Sequence, residues 1–295
     1  MTTGKLARPR SGYLCEMSDG FRVRSIPVPA LMYGTAWKEE RTESLVRQAL
    51  AAGFVAIDTA NQRKHYHEAG VGAALAASGT ARGDVFLQTK FTYVRGQDHR
   101  LPYEAKADIG TQVLESFQSS CQHLGVTMID SYVLHGPWSG QGWSAQDRAA
   151  WAAMEGLQRD GSARLLGISN VSLEQLELLC GEARVKPAFV QNRCYARTGW
   201  DAAVRALCSQ HDITYQGFSL LTANTRELVQ APVRELAGRL GATVPQVVFA
   251  FARAAGMIAL TGTSDLQHMR EDLAAAGLVL TPADVDLMQS IGTSG

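Results

Sequence analysis

One feature restricts the fold of this chain more than any other: it contains eight short apolar segments, and each is followed by a stretch in which apolar residues have helical spacing. The segments predicted as strands are Ala30–Gly34, Phe54–Thr59, Val85–Lys90, Met128–His135, Leu165–Ser169, Ala188–Asn192, Ile213–Phe218 and Met257–Gly262. The stretches predicted as helices are Arg41–Ala51, Tyr66–Ala77, Asp108–Leu124, Ala145–Arg159, Leu173–Ala183, Asp201–Gln210, Pro245–Ala255 and Asp265–Ala276. This alternation favours an α/β fold, a (β/α)8 TIM barrel, over a doubly wound sheet with its glycine-rich first turn.

Local signals complete this expectation. The alternating segment Ser18–Ile26 predicts an N-terminal β-hairpin that closes the bottom of the barrel, and Thr281 with Pro282 predicts a C-terminal extra helix. Ser172 with Gln175 predicts a capping box, and Ser264 precedes another predicted helix as a capping residue. We expect residues 1–295 to form a single barrel domain, with residues 1–17 as a poorly ordered N-terminal arm.

Charge and cysteine content narrow the function. The 28 basic and 28 acidic residues cancel, which argues against a nucleic-acid binder, and no apolar run is long enough for a membrane span. Five cysteines without a CxxC pair indicate free thiols in a reducing compartment, so we expect a cytoplasmic protein. The N-terminus has no apolar core of a secretory signal; an organelle transit peptide stays open because no acid precedes Glu16.

Polar residues end most of the predicted strands, where a barrel carries its chemistry. Asp58, Lys90 and His135 end the second, third and fourth strands, and Tyr66 follows Asp58 in a loop. A lysine ammonium lowers the pKa of a nearby tyrosine, an aspartate holds the ammonium, and a histidine hydrogen-bonds a substrate oxygen. Such a group suits a carbonyl that accepts hydride. Taken singly, each residue also fits a cap, a surface lysine or a core histidine.

Several motifs resemble the aldo-keto reductase family, and their order and spacing cover most of the chain. They are GTAW from Gly34, GFVAIDTA from Gly53, EAGVG from Glu68, QTK from Gln88, YVLHGP from Tyr132, LGISN from Leu166, PAFVQN from Pro187, GFSLL from Gly217, and GTS from Gly262 with Glu271 and Asp272.

The resemblance implies a metal-free, mostly monomeric oxidoreductase that reduces a small-molecule carbonyl with NADPH. The implied catalytic residues are Asp58, Tyr66, Lys90 and His135. The implied cofactor-binding residues are Gly34, Thr35, Ala36, Asp58, Ser169, Asn170, Gln191, Phe218, Ser219, Leu221, Thr261, Gly262, Thr263, Ser264, His268, Glu271 and Asp272. The implied substrate-contacting residues are Trp37, Tyr66, His135 and Trp138.

Three departures from the family pattern matter. The family's tyrosine position, five residues after the aspartate, holds Arg63, so Tyr66 reaches the site only if the lengthened loop bulges; His65 is the alternative acid. Thr261 stands where many members have a lysine that binds the 2′-phosphate of NADPH, so NADH remains an alternative cofactor. If NADPH binds, His268 or Arg270 would have to replace that lysine. Gly136 replaces the aromatic residue after the catalytic histidine, which widens the pocket.

Other functions remain as alternatives. The altered loop allows a nucleotide-binding sensor that has lost turnover. His65 and His67 form an HxH pair like that of metal-dependent barrel hydrolases, and Lys90 resembles a Schiff-base lysine of a barrel aldolase. The broken glycine motif GVGAAL from Gly70 is better explained by close packing of small residues on a helix.

Overall fold

A closed barrel of parallel strands organises the computed structural model, which describes residues 20–293. Within that range the strands are β1 Phe21–Val23, β2 Ile26–Val28, β3 Leu31–Gly34, β4 Ala56–Asp58, β5 Phe86–Phe91, β6 Ile129–Leu134, β7 Ala163–Ser169, β8 Phe189–Arg193, β9 Thr214–Phe218 and β10 Met257–Thr261. Strands β3 to β10 pair in chain order, and β10 closes the barrel against β3. The predicted (β/α)8 barrel is therefore confirmed, with each strand end within two residues of its predicted position.

Helices cover the outside of the barrel. In the described range they are α1 Thr42–Ala52, α2 Glu68–Ser78, α3 Ile109–Leu124, α4 Ala145–Arg159, α5 Leu173–Glu182, α6 Ala202–Gln210, α7 Thr225–Leu228, α8 Ala231–Leu240, α9 Val244–Ala254, α10 Leu266–Ala274 and α11 Pro282–Ser290. Their apolar faces form one buried cluster with the outward-facing strand residues. The sequence prediction missed α8, although Pro232 in its first turn and the left-handed Gly241 after its end are ordinary helix boundaries.

The predicted N-terminal hairpin is present as the antiparallel pair β1 and β2. Val23 and Val28 pack with Met32, Phe86 and Phe189, which lie at or near the starts of barrel strands. The hairpin therefore closes the N-terminal end of the barrel interior and leaves the opposite rim for a site. The first two residues of the predicted segment and the predicted arm over 1–17 lie outside the described residues.

Two predicted helix caps hold and one is wrong. Ser172 accepts from the Gln175 backbone N–H at 3.2 Å, and Thr281 begins the C-terminal helix α11 with the same reciprocal arrangement. Helix α10 is capped by Asp265, whose Oδ1 accepts from the His268 N–H at 2.9 Å, and not by Ser264. A carboxylate at this position interacts more favourably with the helix dipole than a hydroxyl does.

Several chemical features of the described part bear on function. No helix in residues 20–293 is long and apolar enough to cross a membrane. In the same range no three histidine, cysteine or acidic side chains are grouped to hold a metal ion. The described cysteines, Cys121, Cys180, Cys194 and Cys208, are free thiols as expected, and Cys15 lies outside the range.

The small residues of GVGAAL let helix α2 approach the end of α3. A Cβ built on Gly72 would lie 2.1 Å from the His123 carbonyl oxygen and 3.0 Å from the Leu124 Cα. Both are backbone atoms, so they cannot move aside as a flexible side chain would. The packing interpretation of the motif therefore fits the geometry.

We predict that Gly72→Ala lowers the free energy of unfolding by about 3 kcal/mol, because the end of α3 must shift to admit the methyl group. Gly181→Ala is the matched control: it lies in α5, and nothing is within 4 Å of its added Cβ. That control should leave stability unchanged or raise it by up to about 1 kcal/mol. Urea denaturation followed by circular dichroism measures both, and equal stability of the two variants would contradict the packing argument.

Candidate active site

A buried ion pair between Asp58 and Lys90 forms the floor of the site. Lys90 Nζ lies 2.7 Å from both carboxylate oxygens of Asp58 and donates to the Thr59 carbonyl at 2.8 Å. The two side chains are almost entirely buried. Burial lowers the pKa of Lys90, while the Asp58 carboxylate opposes that shift.

Three glutamines surround this pair inside the barrel. Gln88 and Gln191 each donate from Nε2 to Asp58 Oδ1, at 2.7 and 3.1 Å. Both also donate to Gln216 Oε1, and Ser131 donates to Gln88 Oε1 at 2.8 Å. Asp58 Oδ1 thus accepts from three donors, Gln88, Gln191 and Lys90, and these hydrogen bonds fix the orientation of the carboxylate.

The lengthened loop after β4 brings Tyr66 to this floor. Its ring centroid lies 5.3 Å from Lys90 Nζ and 5.8 Å from the His135 ring. The loop turns back on itself because the backbone N–H groups of His65 and Tyr66 both donate to the Gln62 carbonyl, at 3.1 and 3.0 Å. Helix α2 starts two residues after Tyr66, so the tyrosine stays in the loop.

The direction of the Tyr66 pKa differs from the sequence-based expectation. Burial, reinforced by the Asp58 carboxylate, raises the pKa of the Tyr66 hydroxyl above its ordinary value. Lys90 does not reverse this shift, although its ammonium lies 5.3 Å from the Tyr66 ring centroid. Tyr66 is therefore protonated at neutral pH, as a proton donor must be before it reacts.

His65, the alternative acid, lies at the edge of the cleft. Its ring stacks on Trp37 with centroids 3.8 Å apart, and its carbonyl accepts from the Trp37 N–H at 2.7 Å. Burial and the neighbouring Lys64 lower the pKa of His65. Trp37 is 69% exposed and adopts a left-handed backbone, with φ of 61°.

Thr92 holds His135 at the opposite wall. Its Oγ1 lies 2.6 Å from His135 Nδ1, and that hydroxyl has no other hydrogen-bond acceptor among the described residues. Burial, reinforced by the Lys90 charge, lowers the pKa of His135 to about 3, so the ring is neutral. We assign the Thr92 hydroxyl as donor to Nδ1, which leaves the proton on Nε2 of His135.

Ser169, Asn170 and Gln191 lie together at the ends of β7 and β8. The Ser169 hydroxyl donates to the Gln191 carbonyl at 2.6 Å, and Asn170 Nδ2 donates to the His135 carbonyl at 2.8 Å. In the described part no donor reaches Asn170 Oδ1 or Gln191 Oε1. Two amide oxygens are therefore available to accept from a ligand.

A cleft of about 890 Å³ connects these groups along the rim. The predicted site residues that line it are Gly34, Ala36, Trp37, Asp58, Tyr66, His135, Ser169, Asn170, Gln191, Phe218, Ser219, Leu221, Thr261, Gly262, Thr263, His268, Glu271 and Asp272. Lys90 lies beneath Asp58 and does not line the cleft. Most of the predicted set is thus brought into one continuous space.

Besides Lys90, three predicted residues lie apart from this lining. Thr35 is buried and donates its hydroxyl to the Asp58 carbonyl at 3.0 Å, so it supports the floor from behind. Trp138 packs edge-on against Tyr93 with centroids 5.1 Å apart. Ser264 is exposed beyond the cleft.

The far end of the cleft lacks the family's lysine at Thr261. The Thr261 hydroxyl donates to Asp272 Oδ2 at 2.7 Å, and burial raises the pKa of Asp272 to about 6. Lys38, which the sequence analysis overlooked, lines this end and donates to the Gly262 carbonyl. His268 also lines the cleft here, whereas Arg270 does not.

Other lining residues also escaped the sequence analysis. Gln62 lies in the loop that carries Tyr66, and Arg193 follows the predicted PAFVQN motif directly, so adjacency to a motif was a usable signal for both. Thr243 and Phe249 come from the start of α9 and its interior. They approach the rim only because the barrel closes, and no local sequence pattern predicts that approach.

Comparison with known proteins agrees with this geometry. The sequence profile of the Aldo/keto reductase family matches residues 30–293. This chain belongs to the aldo/keto reductase family. Members of that family are oxidoreductases that reduce carbonyl groups with nicotinamide cofactors.

Individual relatives of this aldo/keto reductase cover nearly its whole length. It is 29% identical over 280 residues to the NAD/NADP-dependent indole-3-acetaldehyde reductase of Schizosaccharomyces pombe, covering 90% of this chain and 92% of that one. It is 26% identical to the NADPH-dependent alpha-keto amide reductase of Saccharomyces cerevisiae, with coverage of 94% and 89%. The crystal structure of an aldo/keto reductase from Brucella melitensis superposes with a TM-score of 0.80 at 25% identity, covering 92% and 97% of the two chains.

We predict that Thr92→Val releases the His135 ring from its fixed tautomer, because valine keeps the shape of threonine without the hydroxyl. Nitrogen-15 NMR of the imidazole should show protonated Nε2 in the wild type and a mixture of tautomers in Thr92→Val. Thr92→Ser should restore the wild-type pattern, and the exposed Thr80→Val is the control. A wild-type His135 spectrum in Thr92→Val would refute the assignment.

Proposed function

We propose that this protein reduces an aldehyde or ketone to an alcohol with a nicotinamide dinucleotide, NADPH in preference to NADH. The observation that carries the proposal is the convergence of Tyr66, His135 and the Asp58–Lys90 pair on one cleft. Its volume of about 890 Å³ falls within the range of small-molecule and cofactor sites.

The residues present fit such a cofactor. The free oxygens of Asn170 and Gln191 match the N–H donors of a nicotinamide carboxamide, and Phe218 offers a half-buried ring face beside them. Lys38 and His268 supply donors for phosphates at the other end of the cleft. When bound, the reduced nicotinamide supplies hydride to the carbonyl carbon.

The side chains of this protein act on the carbonyl oxygen. His135 Nε2–H and the Tyr66 hydroxyl donate hydrogen bonds to that oxygen and stabilise the negative charge that develops on it. Tyr66 then transfers its proton, because an alkoxide is a stronger base than a phenolate. The Lys90 ammonium, 5.3 Å from the Tyr66 ring, stabilises the resulting phenolate.

The sensor alternative depended on the altered loop displacing the tyrosine. Tyr66 lies beside His135 and Lys90 despite the added residues, so the loop gives no ground for loss of turnover. Turnover itself decides between the two functions.

We predict that Tyr66→Phe lowers kcat by at least about 100-fold, since removal of a general acid costs that much. His65→Ala should retain most of the activity, because His65 packs on Trp37 at the cleft edge. Steady-state reduction of benzaldehyde measures both variants, with NADPH binding as the test of an intact fold. Wild-type turnover by Tyr66→Phe together with loss of activity in His65→Ala would transfer the role of acid to His65.

We predict that NADPH binds about tenfold more tightly than NADH, because a charge-assisted contact to the 2′-phosphate is worth that factor. Tryptophan fluorescence gives the two affinities, since Trp37 lines the cleft. His268→Gln should remove the difference, and Arg270→Gln, two residues further along α10 and outside the lining, is the control. Equal affinities in the wild type would make the protein a dual-cofactor enzyme, and no binding of either nucleotide would refute the proposed function.

A further inference from the structure

A second cleft of about 770 Å³ meets the first at the reacting centre. The residues that line both are Gln62, His135, Asn170 and Arg193. The second cleft extends from His135 over the ends of β5, β6 and β8, away from Thr261 and His268 at the far end of the first. A molecule whose carbonyl reaches His135 can therefore extend into this space while a dinucleotide occupies the other.

Two guanidinium groups line the second cleft. Arg193 ends β8, and its guanidinium lies 5.6 Å from the Phe218 ring centroid; none of its N–H donors has a hydrogen-bond acceptor among the described residues. Arg95 follows β5, lies 5.9 Å from the Trp138 ring and donates through one nitrogen to the Pro137 carbonyl. Both arginines are exposed residues, and each keeps N–H donors that have no acceptor among the described residues.

The negative charge available to balance them is small. Asp201 is the carboxylate among the described lining residues of this cleft, and its Oδ2 accepts from Asn192 Nδ2 at 3.0 Å and from the Tyr215 hydroxyl at 2.8 Å. It forms no ion pair with Arg95 or Arg193 within the part of the chain that the structure describes. The cleft therefore has an excess of one positive charge.

We propose that the second cleft binds an anionic group of the substrate, so that the preferred substrates are aldehydes or ketones that carry a carboxylate. The planar guanidinium of arginine pairs with a carboxylate through two parallel hydrogen bonds, which gives orientation as well as affinity. This inference rests on the proposed carbonyl reduction. The reaction is unchanged: the carbonyl carbon gains hydride from the nicotinamide, its oxygen gains a proton, and the carboxylate is a spectator.

A matched pair of aldehydes tests this substrate class. 4-Carboxybenzaldehyde and methyl 4-formylbenzoate have similar shapes and differ in charge. We expect the wild type to favour the acid over the ester by at least about tenfold in kcat/KM, mainly through KM. Arg193→Gln and Arg95→Gln should each reduce that ratio, and the double variant should bring it close to one.

Arg234→Gln is the matched control, because Arg234 is exposed on α8 and lies outside both clefts. It should keep the wild-type ratio. Binding of the product 4-(hydroxymethyl)benzoate, followed by tryptophan fluorescence in the presence of NADP⁺, gives a readout that does not require turnover. Arg193→Gln should weaken that binding about tenfold.

The outcomes separate this inference from the proposed function. Equal reduction of acid and ester by the wild type, with ratios unchanged in the arginine variants, overturns the substrate class and leaves carbonyl reduction standing. A tenfold loss of NADPH affinity in Arg193→Gln assigns that guanidinium to the nucleotide and also overturns the inference. If neither aldehyde is reduced and the product acid does not bind, both proposals fail.

Discussion

The buried pair of Asp58 and Lys90 is the interaction on which the rest of the site depends. Two charges removed from water cost several kcal/mol each unless hydrogen bonds replace the lost hydration. Strand register supplies them here: Asp58 pairs with Gln88, and Lys90 follows two residues later on the same inward face of β5. Gln88 and Lys90 therefore reach the same carboxylate, and removal of either would leave a buried charge short of partners.

The sequence alone predicts the fold and places Asp58 and Lys90 at one rim of it, because both predictions follow from the regular alternation of strands and helices. Alternation of strands and helices identifies the barrel, and polar residues at strand ends identify the rim. Gln216 and Thr92 escaped attention because inside a strand or just beyond it they look like ordinary polar residues. Their roles come from neighbours distant in sequence: Thr92 meets His135, 43 residues away, and Gln216 meets Gln88, 128 residues away.

Helix α8 was missed for a different reason. Its signals are local and ordinary, but a repeating unit of one strand and one helix predicts a single helix between β9 and β10, and α9 already satisfies that count. Loops and additional helices after a barrel strand are where members of one fold differ. Counting the repeated strand–helix unit thus predicts the barrel but does not reveal an additional helix inserted between two of its strands.

Backbone strain occurs in three residues that line the first cleft. Trp37, Asn170 and Ser219 adopt left-handed backbone, with φ of 61°, 51° and 56°, although none of them is glycine. Such conformations persist only where surrounding contacts enforce them, and they concentrate at functional sites. Asn170 makes its amide hydrogen bond to the His135 carbonyl in this conformation, so a contact between the ends of β6 and β7 offsets the strain.

The lengthened loop shows why spacing to a motif is a weaker constraint than tertiary contact. The Gln62 carbonyl accepts the two backbone hydrogen bonds that close the turn, and the Gln62 side-chain amide donates to the Gly96 carbonyl. Arg100 donates to the Arg63 carbonyl at 3.1 Å. These bonds tie the loop to the segment after β5, so the added residues bulge outward and the tyrosine ring remains inside. A side chain can therefore shift its position in the sequence and keep its place in the fold, provided that the surrounding loops hold the bulge.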